Sequence, residues 1–265
     1  MGEKLRRTGL SAAAVAAALA LVAGCGGDGG KDGAEGGGKD ASAQEKPAAE
    51  NAEPLTAAEL EKRALKQGDV EGHRIEKATE KDLAEQPGAV KPASCRPVVD
   101  AIATAAAGDP AATVLRDAQE KPGGTPSLDE NTTEEEMDRA LEDALGATVV
   151  RMGLSTYEGK GAQGVLAEFR EQLQGCEGTF TVNGTEQRVD SLTTDAPARG
   201  GDEAVTFSMV TTDEQGKEIP GSAFAVHRKG NVLAFFMAVS FTAEKKGDVQ
   251  VPAALVEAQT AKLAG

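Results

Sequence analysis

The chain has 265 residues, a formal net charge of −15 and 40% hydrophobic residues, which is the composition of an ordinary soluble protein. This acidity excludes a DNA- or RNA-binding surface, because affinity for phosphates depends on lysine and arginine. Seven Phe, one Tyr and no Trp are too few aromatic residues for a base-stacking protein or an aromatic cage around a cation.

The N-terminus is typical of an export signal. Lys4, Arg6 and Arg7 precede seventeen uncharged residues, Thr8 to Gly24, that are rich in Ala, Leu and Val. This core is too short and too rich in alanine to favour a permanent membrane span. Residues 1–24 are therefore predicted to be a signal peptide.

The end of that core, Leu21-Val22-Ala23-Gly24-Cys25, resembles the lipobox of bacterial lipoproteins. In that family the cysteine thiol receives a diacylglyceryl group, and a peptidase cuts before it. The resemblance implies that Cys25 is the lipidation site and that its acyl chains are the contact with the membrane. The alternative is an ordinary secretory signal that happens to meet a cysteine.

Residues 25–54 are predicted to be the lipidated cysteine and a disordered tether. Beyond Cys25 they contain no aliphatic residue larger than Ala, with seven acids and three lysines, so they cannot bury enough apolar surface to fold. Such a coil has a root-mean-square reach of about 30 Å. The remaining residues, 55–265, carry a net charge of −13 and are predicted to form a single extracellular domain.

The two cysteines that remain, Cys95 and Cys176, form an even pair in an exported chain. An oxidising exterior makes a disulfide between them the expected state. The alternative is a reactive or metal-binding thiol pair, but neither cysteine has a Cys or His at metal-ligand spacing.

Hydrophobic periodicity and capping signals place five helices in the domain. Thr56 and Glu59 form one capping box, and Thr133 and Glu136 form another. The predicted helices cover residues 56–67, 97–107, 162–173 and 251–263, with a further one from Thr133 that places Met137, Ala140, Leu141, Ala144 and Leu145 on one stripe. Strand patterns occur at residues 70–79, 147–157, 178–182, 187–193, 203–211, 222–228 and 232–242. The predicted fold class is α+β, with an antiparallel sheet of about five or six strands flanked by helices and one disulfide.

Gly230-Asn231 is a two-residue hairpin signal between the last two strands. With this turn, Phe224 faces Met237 and Val226 faces Phe235. One face is then thick, and the other carries the small residues Ala223, Ala225, Ala234 and Ala238. Small side chains either admit a closely packed helix or form the floor of a groove. Because both faces are apolar, residues 232–241 are predicted to be a central strand.

Catalytic motifs are missing from the sequence. His73 and His227 are the histidines available for imidazole chemistry, and no nucleophile elbow, zinc-binding helix or Cys-His pair accompanies them. We therefore expect no enzyme activity, no catalytic residues and no cofactor. A hydrolase that uses His73 or His227 is the alternative, and it requires a cleft in which a histidine reaches a serine and an acid.

The densest acidic cluster lies between residues 129 and 138 and has a composition that can collect calcium. It consists of Asp129, Glu130, Glu134, Glu135, Glu136 and Asp138. The EF-hand spacing is absent, and acids in a first helical turn are favoured by the helix dipole. No metal site is predicted, and calcium binding is left open.

Several short segments resemble actinobacterial secreted domains related to the extracellular sensor domain of the mycobacterial serine/threonine kinase H. They are Val150-Arg151, Leu154 to Tyr157, Leu166 to Phe169, Gly175-Cys176, Gly201 to Ala204, Val226 to Phe236, and the Ala-rich helix after Cys95. The resemblance covers roughly residues 68–245 and implies an α+β domain with an antiparallel sheet, disulfide support and a ligand-binding cleft. That sensor domain has two disulfides, whereas this body has cysteines for one.

These features together predict a lipoprotein anchored to the extracellular face of an actinobacterial cell membrane, with a sensor-like domain. Its ligand would be a small molecule or a cell-envelope component, and nucleic acid is excluded. A structural cell-envelope partner protein is a further alternative, with a flat apolar patch instead of a pocket. Ligand-binding residues and oligomeric state do not follow from the sequence.

Overall fold

The computed structural model describes residues 53–82, 87–121, 132–176, 178–193, 196–197, 199–212, 215–240, 243, 245 and 247–265. The predicted signal peptide, Cys25 and the tether up to residue 52 lie outside these ranges. The signal peptide, the lipidation and the tether therefore stay predictions.

Within the described residues, nine strands form one sheet in which all neighbours are antiparallel. The strands are β1 His73–Ala78, β2 Val90–Lys91, β3 Ala112–Glu120, β4 Val149–Thr156, β5 Thr179–Val182, β6 Thr185–Thr193, β7 Glu203–Thr212, β8 Glu218–Lys229 and β9 Val232–Val239. Their spatial order is β1-β3-β4-β9-β8-β7-β6-β5-β2. The predicted central position of β9 is confirmed.

The prediction of about five or six strands is too low, and two strands lacked a sequence signal. Strand β2 is only two residues long and is held by its pairing with β5. Strand β3 contains Arg116, Asp117 and other residues that are depleted from strands. Arg116 is nevertheless buried, because its guanidinium donates to the Leu65 carbonyl at 2.7 Å and to the Glu61 carboxylate at 2.5 Å.

Five α-helices accompany the sheet in the described part of the chain. They are α1 Ala57–Arg63, α2 Arg96–Thr104, α3 Glu134–Gly146, α4 Gly161–Gly175 and α5 Ala253–Ala264. Both predicted capping boxes are present, at Thr56 and at Thr133. Helix α1 ends four residues earlier than predicted because Gln259 of α5 takes over the hydrogen bonding. Its side chain accepts from the Leu65 amide at 3.0 Å and donates to the Arg63 carbonyl at 2.9 Å.

The predicted β8–β9 hairpin is confirmed, with Phe224 opposite Met237, Ala225 opposite Phe236, Val226 opposite Phe235 and His227 opposite Ala234. The two faces of the sheet differ as the alternation predicts. The thick face packs Phe207, Phe224 and Phe235 against Phe169 of α4, and the rings of Phe207 and Phe224 stack at 4.4 Å. The opposite face carries the alanines and packs against apolar residues of α1 and α5, namely Leu60, Leu255, Val256 and Leu263.

The predicted disulfide is present and links the start of α2 to the end of α4. The Cα atoms of Cys95 and Cys176 are 5.3 Å apart, and both residues are buried. Closing a loop of this length is expected to stabilise the fold by about 4 kcal/mol through the unfolded chain.

Two hydrogen bonds fasten the beginning of the described chain to the middle of the sheet. The Leu55 amide donates to Thr156 Oγ1 at 3.0 Å, and Asn231 Nδ2 donates to the Glu53 carbonyl at 3.1 Å. The chain therefore joins the domain at the sheet end that bears the β8–β9 turn.

Helix α3 does not bury the predicted apolar stripe at two of its positions. Met137 is 50% exposed and Leu141 is 58% exposed. The side chain of Leu145 lies outside the described residues. Among the described residues, no helix is both long and apolar enough to cross a membrane.

Candidate ligand-binding site

A cavity of about 410 Å³, here called the sheet cleft, opens on the small-residue face of the sheet. Its floor is formed by one face of β6, β7 and β8, with the side chains of Ser191, Thr193, Thr206, Ser208, Ala223 and Ala225. Its walls are formed by Ala196, Pro197, Arg199, Gly247, Val249, Gln250, Val251 and, from α5, Val256. This volume is within the range of small-molecule sites.

The cleft exists because helix α5 covers only part of the alanine face. Ala234 on β9 is fully buried in the core that α5 shares, whereas Ala223 and Ala225 on β8 border the cavity. Both uses that the small residues predicted are thus present: α5 packs against β8 and β9, and the cavity opens over β6, β7 and β8.

Hydroxyl groups line the floor in register across β6 and β7. Ser191 lies opposite Ser208, with their Oγ atoms 2.8 Å apart, and Thr193 lies opposite Thr206. A hydroxyl both donates and accepts hydrogen bonds, so this row can contact a polar ligand of either kind. None of the described lining residues is an acid, although the domain is strongly acidic.

Arg199 joins one wall of the cleft to helix α5. Its backbone lies in the left-handed region, with φ of 43°, and its carbonyl accepts a 2.6 Å hydrogen bond from Thr260 Oγ1. Its guanidinium donates to Glu257 at 3.0 Å. A residue that is held at both its backbone and its side chain fixes the position of this wall.

The two histidines lie in different parts of the sheet. His227 is buried, lines the sheet cleft and meets the ring of Phe236 edge-on at 6.0 Å. His73 begins the outer strand β1, and its Nδ1 lies 3.1 Å from the Glu71 carbonyl. Strands β3, β4 and β9 separate β1 from β8, so the fold does not bring the histidines together.

The acidic cluster at residues 129–138 is described only in part. Asp129 and Glu130 lie outside the described residues, while Glu134, Glu135 and Glu136 form the first turn of α3. The Glu136 carboxylate accepts from the Thr133 amide at 2.9 Å, which is a capping role. The described residues include no group of three or more His, Cys, Asp or Glu side chains arranged for a metal ion.

A family model described as the PknH-like extracellular domain matches residues 55–262 of this chain. The chain belongs to this family. The resemblance predicted from the short motifs is confirmed, and the match extends beyond residues 68–245 at both ends.

Among solved structures, this PknH-like domain is similar to the extracellular domain of PknH from Mycobacterium tuberculosis, determined by crystallography. The two are 12% identical, with a TM-score of 0.48, and the alignment covers 80% of this chain and 98% of the other. No curated protein matches the chain.

Sequence reasoning located the alanine floor of the cleft in this PknH-like domain but missed the hydroxyl row and the walls. Ser191 and Thr193 lie two positions apart on β6, and Thr206 and Ser208 lie two positions apart on β7. This pattern indicates a row of hydroxyl groups only when β6 is known to pair with β7. The wall residues Pro197, Arg199 and Val249 lie outside helices and strands, and their position depends on contacts distant in sequence, so no local pattern marks them.

Proposed function

We propose that this protein is an extracytoplasmic, lipid-anchored sensor-like domain that binds a small polar ligand in the sheet cleft. The observation that carries the proposal is the cleft itself, with a floor of small and hydroxyl-bearing side chains and walls from α5 and two loops. Membership of an extracellular-domain family supports the location and the sensor-like role.

The lining favours an uncharged or anionic ligand with several hydrogen-bonding groups. Ser191, Thr193, Thr206 and Ser208 offer hydroxyls, while the described lining includes Arg199 and His227 but no carboxylate. Val249, Val251 and Val256 add apolar contact on the wall side. Pockets of this kind combine apolar surface with a few polar groups that orient the ligand.

The cleft also bears on the two alternative functions. A structural partner protein without a small ligand predicts a flat apolar patch, and the sheet cleft favours ligand binding over it. One observation supports the hydrolase alternative: His227 lines the same cavity as the hydroxyl row. Turnover of a ligand that binds in the cleft, abolished by His227→Ala, would favour the hydrolase.

Blocking the cleft tests the proposal. In a thermal-shift screen of sugars, sugar acids and small carboxylates, we expect at least one compound to raise the melting temperature of the wild-type protein. Ala223→Leu, which places a larger side chain at the cleft, should abolish that shift. The matched control is Ala106→Leu in a second cavity on the opposite face, because both alanines are nearly buried, at 8% and 9% exposure.

The control variant should keep the full shift. Equal shifts in wild type and Ala223→Leu would place the ligand elsewhere and refute the sheet cleft as the site. A screen in which no compound binds would also count against the proposed function.

A further inference from the structure

A second cavity of about 400 Å³, here called the helix groove, lies between α2 and α4 on the thick face of the sheet. The end of α2 and its following turn contribute Asp100, Thr104 and Ala106, and α4 contributes Val165, Glu168 and Gln172. The sheet cleft is on the other face, so the two cavities are separate.

The shape of the groove is fixed by contacts at both of its ends. At one end the Cys95–Cys176 disulfide joins the two helices. At the other end the Tyr157 hydroxyl donates to the Ala107 carbonyl at 2.5 Å. Burial raises the pKa of Tyr157 to about 12, so this hydroxyl remains a donor at physiological pH.

Two glycines and one strained alanine set the separation of the walls. Ala105 ends α2 in the left-handed region, and its carbonyl packs directly on Gly153 of β4, where an added Cβ would lie only 1.9 Å from that oxygen. Gly108, also at positive φ, leaves room for Val165, whose methyl groups would lie 3.1 Å from a Cβ there. The groove is thus already formed without a ligand.

The described charged side chains that line the groove are both acidic. Asp100 and Glu168 line it from opposite helices, and the described lining includes no Lys, Arg or His. Both oxygens of Asp100 accept from Arg96 Nε, at 2.7 and 2.9 Å, but the two side chains are about 40% exposed, so solvent screens the pair and an incoming ammonium group can compete for the carboxylate. Glu168 accepts a hydrogen bond from Gln172 at 3.0 Å and, as a carboxylate, retains further acceptor sites.

Apart from Thr104 and Gln172, the remaining described side chains of the lining are apolar, and this favours one kind of cation over another. Pro97, Ala101, Val165 and Phe169 offer no oxygen ligands from their side chains, whereas a hard metal ion needs about six. An organic cation places its charged group near the two carboxylates and its carbon atoms on this apolar surface.

We propose that the helix groove is a second ligand site, which takes a small organic cation with a primary ammonium group and a short apolar body. Asp100 and Glu168 bind the ammonium group, and Val165 and Ala101 contact the hydrocarbon. The proposal does not depend on a ligand in the sheet cleft.

The probe is n-butylammonium chloride, titrated into the isotopically labelled full chain and followed by amide chemical shifts. We expect saturable shifts at the groove, including the amides of Gly108 and Gln172, that weaken as sodium chloride is added. The neutral analogue 1-butanol should bind about fivefold more weakly, because this is the largest change in affinity that an exposed ion pair usually produces. Equal binding of 1-butanol, or displacement of the probe by stoichiometric calcium, would overturn the proposal.

Two kinds of variant test separately the charge of the groove and its free volume. Glu168→Gln should weaken binding of n-butylammonium by about fivefold, whereas Glu171→Gln, an exposed position on the same helix outside the groove, should leave it unchanged. Ala106→Leu should abolish binding and Ala223→Leu should not. Because Glu168 is exposed, Glu168→Gln is expected to fold even where Ala106→Leu does not. Unchanged affinity in Glu168→Gln would refute the site.

Discussion

At the scale of single residues, Gly153 is the position where the fold leaves no room for a side chain. It lies in the central strand β4, paired with Leu115 on one side and Phe235 on the other. The carbonyl of Ala105 packs against it, which lets the end of α2 approach the sheet closely. A backbone oxygen cannot rotate away as the tip of a flexible side chain can, so this contact tolerates no added atom.

Gly153→Ala is therefore expected to lower the free energy of unfolding by about 3 kcal/mol, the upper part of the usual range for overpacking. Gly164→Ala is the control, because an added Cβ there meets nothing within 4 Å and the residue lies inside α4. The control should raise the free energy of unfolding by about 0.5–1 kcal/mol, since alanine has the higher helix propensity. Urea denaturation measures both, and a cost below about 0.5 kcal/mol for Gly153→Ala would contradict the reasoning.

At the scale of elements, local signals predicted what local interactions determine. The capping boxes at Thr56 and Thr133 and the Gly230-Asn231 turn each involve a few neighbouring residues, and all three are present as predicted. Strand β3 was not predicted, because its burial of Arg116 depends on Glu61 and the Leu65 carbonyl far away in sequence.

The candidate sites follow the same rule. The alternation of Ala223 and Ala225 with larger residues indicated a possible groove floor, since period-2 patterns are visible in a strand. How far α5 covers that floor depends on contacts such as those of Gln259 with α1, which no local pattern reveals. The helix groove depends on the approach of Ala105 to Gly153, which is likewise a tertiary contact.

Removal of the disulfide, which links α2 to α4, should change the free energy of unfolding measurably. In a Cys25→Ser background, Cys95→Ser should lower the free energy of unfolding by about 2–4 kcal/mol, because the loop between α2 and α4 is no longer closed in the unfolded chain. The partner thiol of Cys176 should then react with a thiol reagent when the protein is unfolded without reductant. If Cys176 itself reacts equally in the unfolded Cys25→Ser protein and in the unfolded double variant, the bond does not form in solution.

At the scale of the whole molecule, the two cavities have opposite character. The sheet cleft has hydroxyls with Arg199 and His227, and the helix groove has Asp100 and Glu168. They lie on opposite faces of one sheet, and Phe169 of the helix groove packs against Phe207 on the thick face at 6.0 Å between ring centroids. Each face therefore offers a surface suited to a different class of ligand.

The proposed anchor is also a property of the whole molecule. Metabolic labelling with a palmitate analogue in an actinobacterial host is expected to label the wild-type chain and to leave Cys25→Ala unlabelled, because the lipobox resemblance implies that this thiol receives the lipid. Membrane fractionation should move the variant to the soluble fraction. Label that persists undiminished in Cys25→Ala, or no label on the wild type, would refute the lipoprotein prediction.

The hydrogen bonds that hold Glu53 and Leu55 to Asn231 and Thr156 have a mechanical consequence. Tension on the N-terminal segment reaches the domain at the ends of β4 and β9, which have a paired strand on both sides, and not at an outer strand that could peel away. A protease that cuts before Glu53 breaks none of the described contacts. Such a cut therefore releases the domain intact, with both cavities still formed.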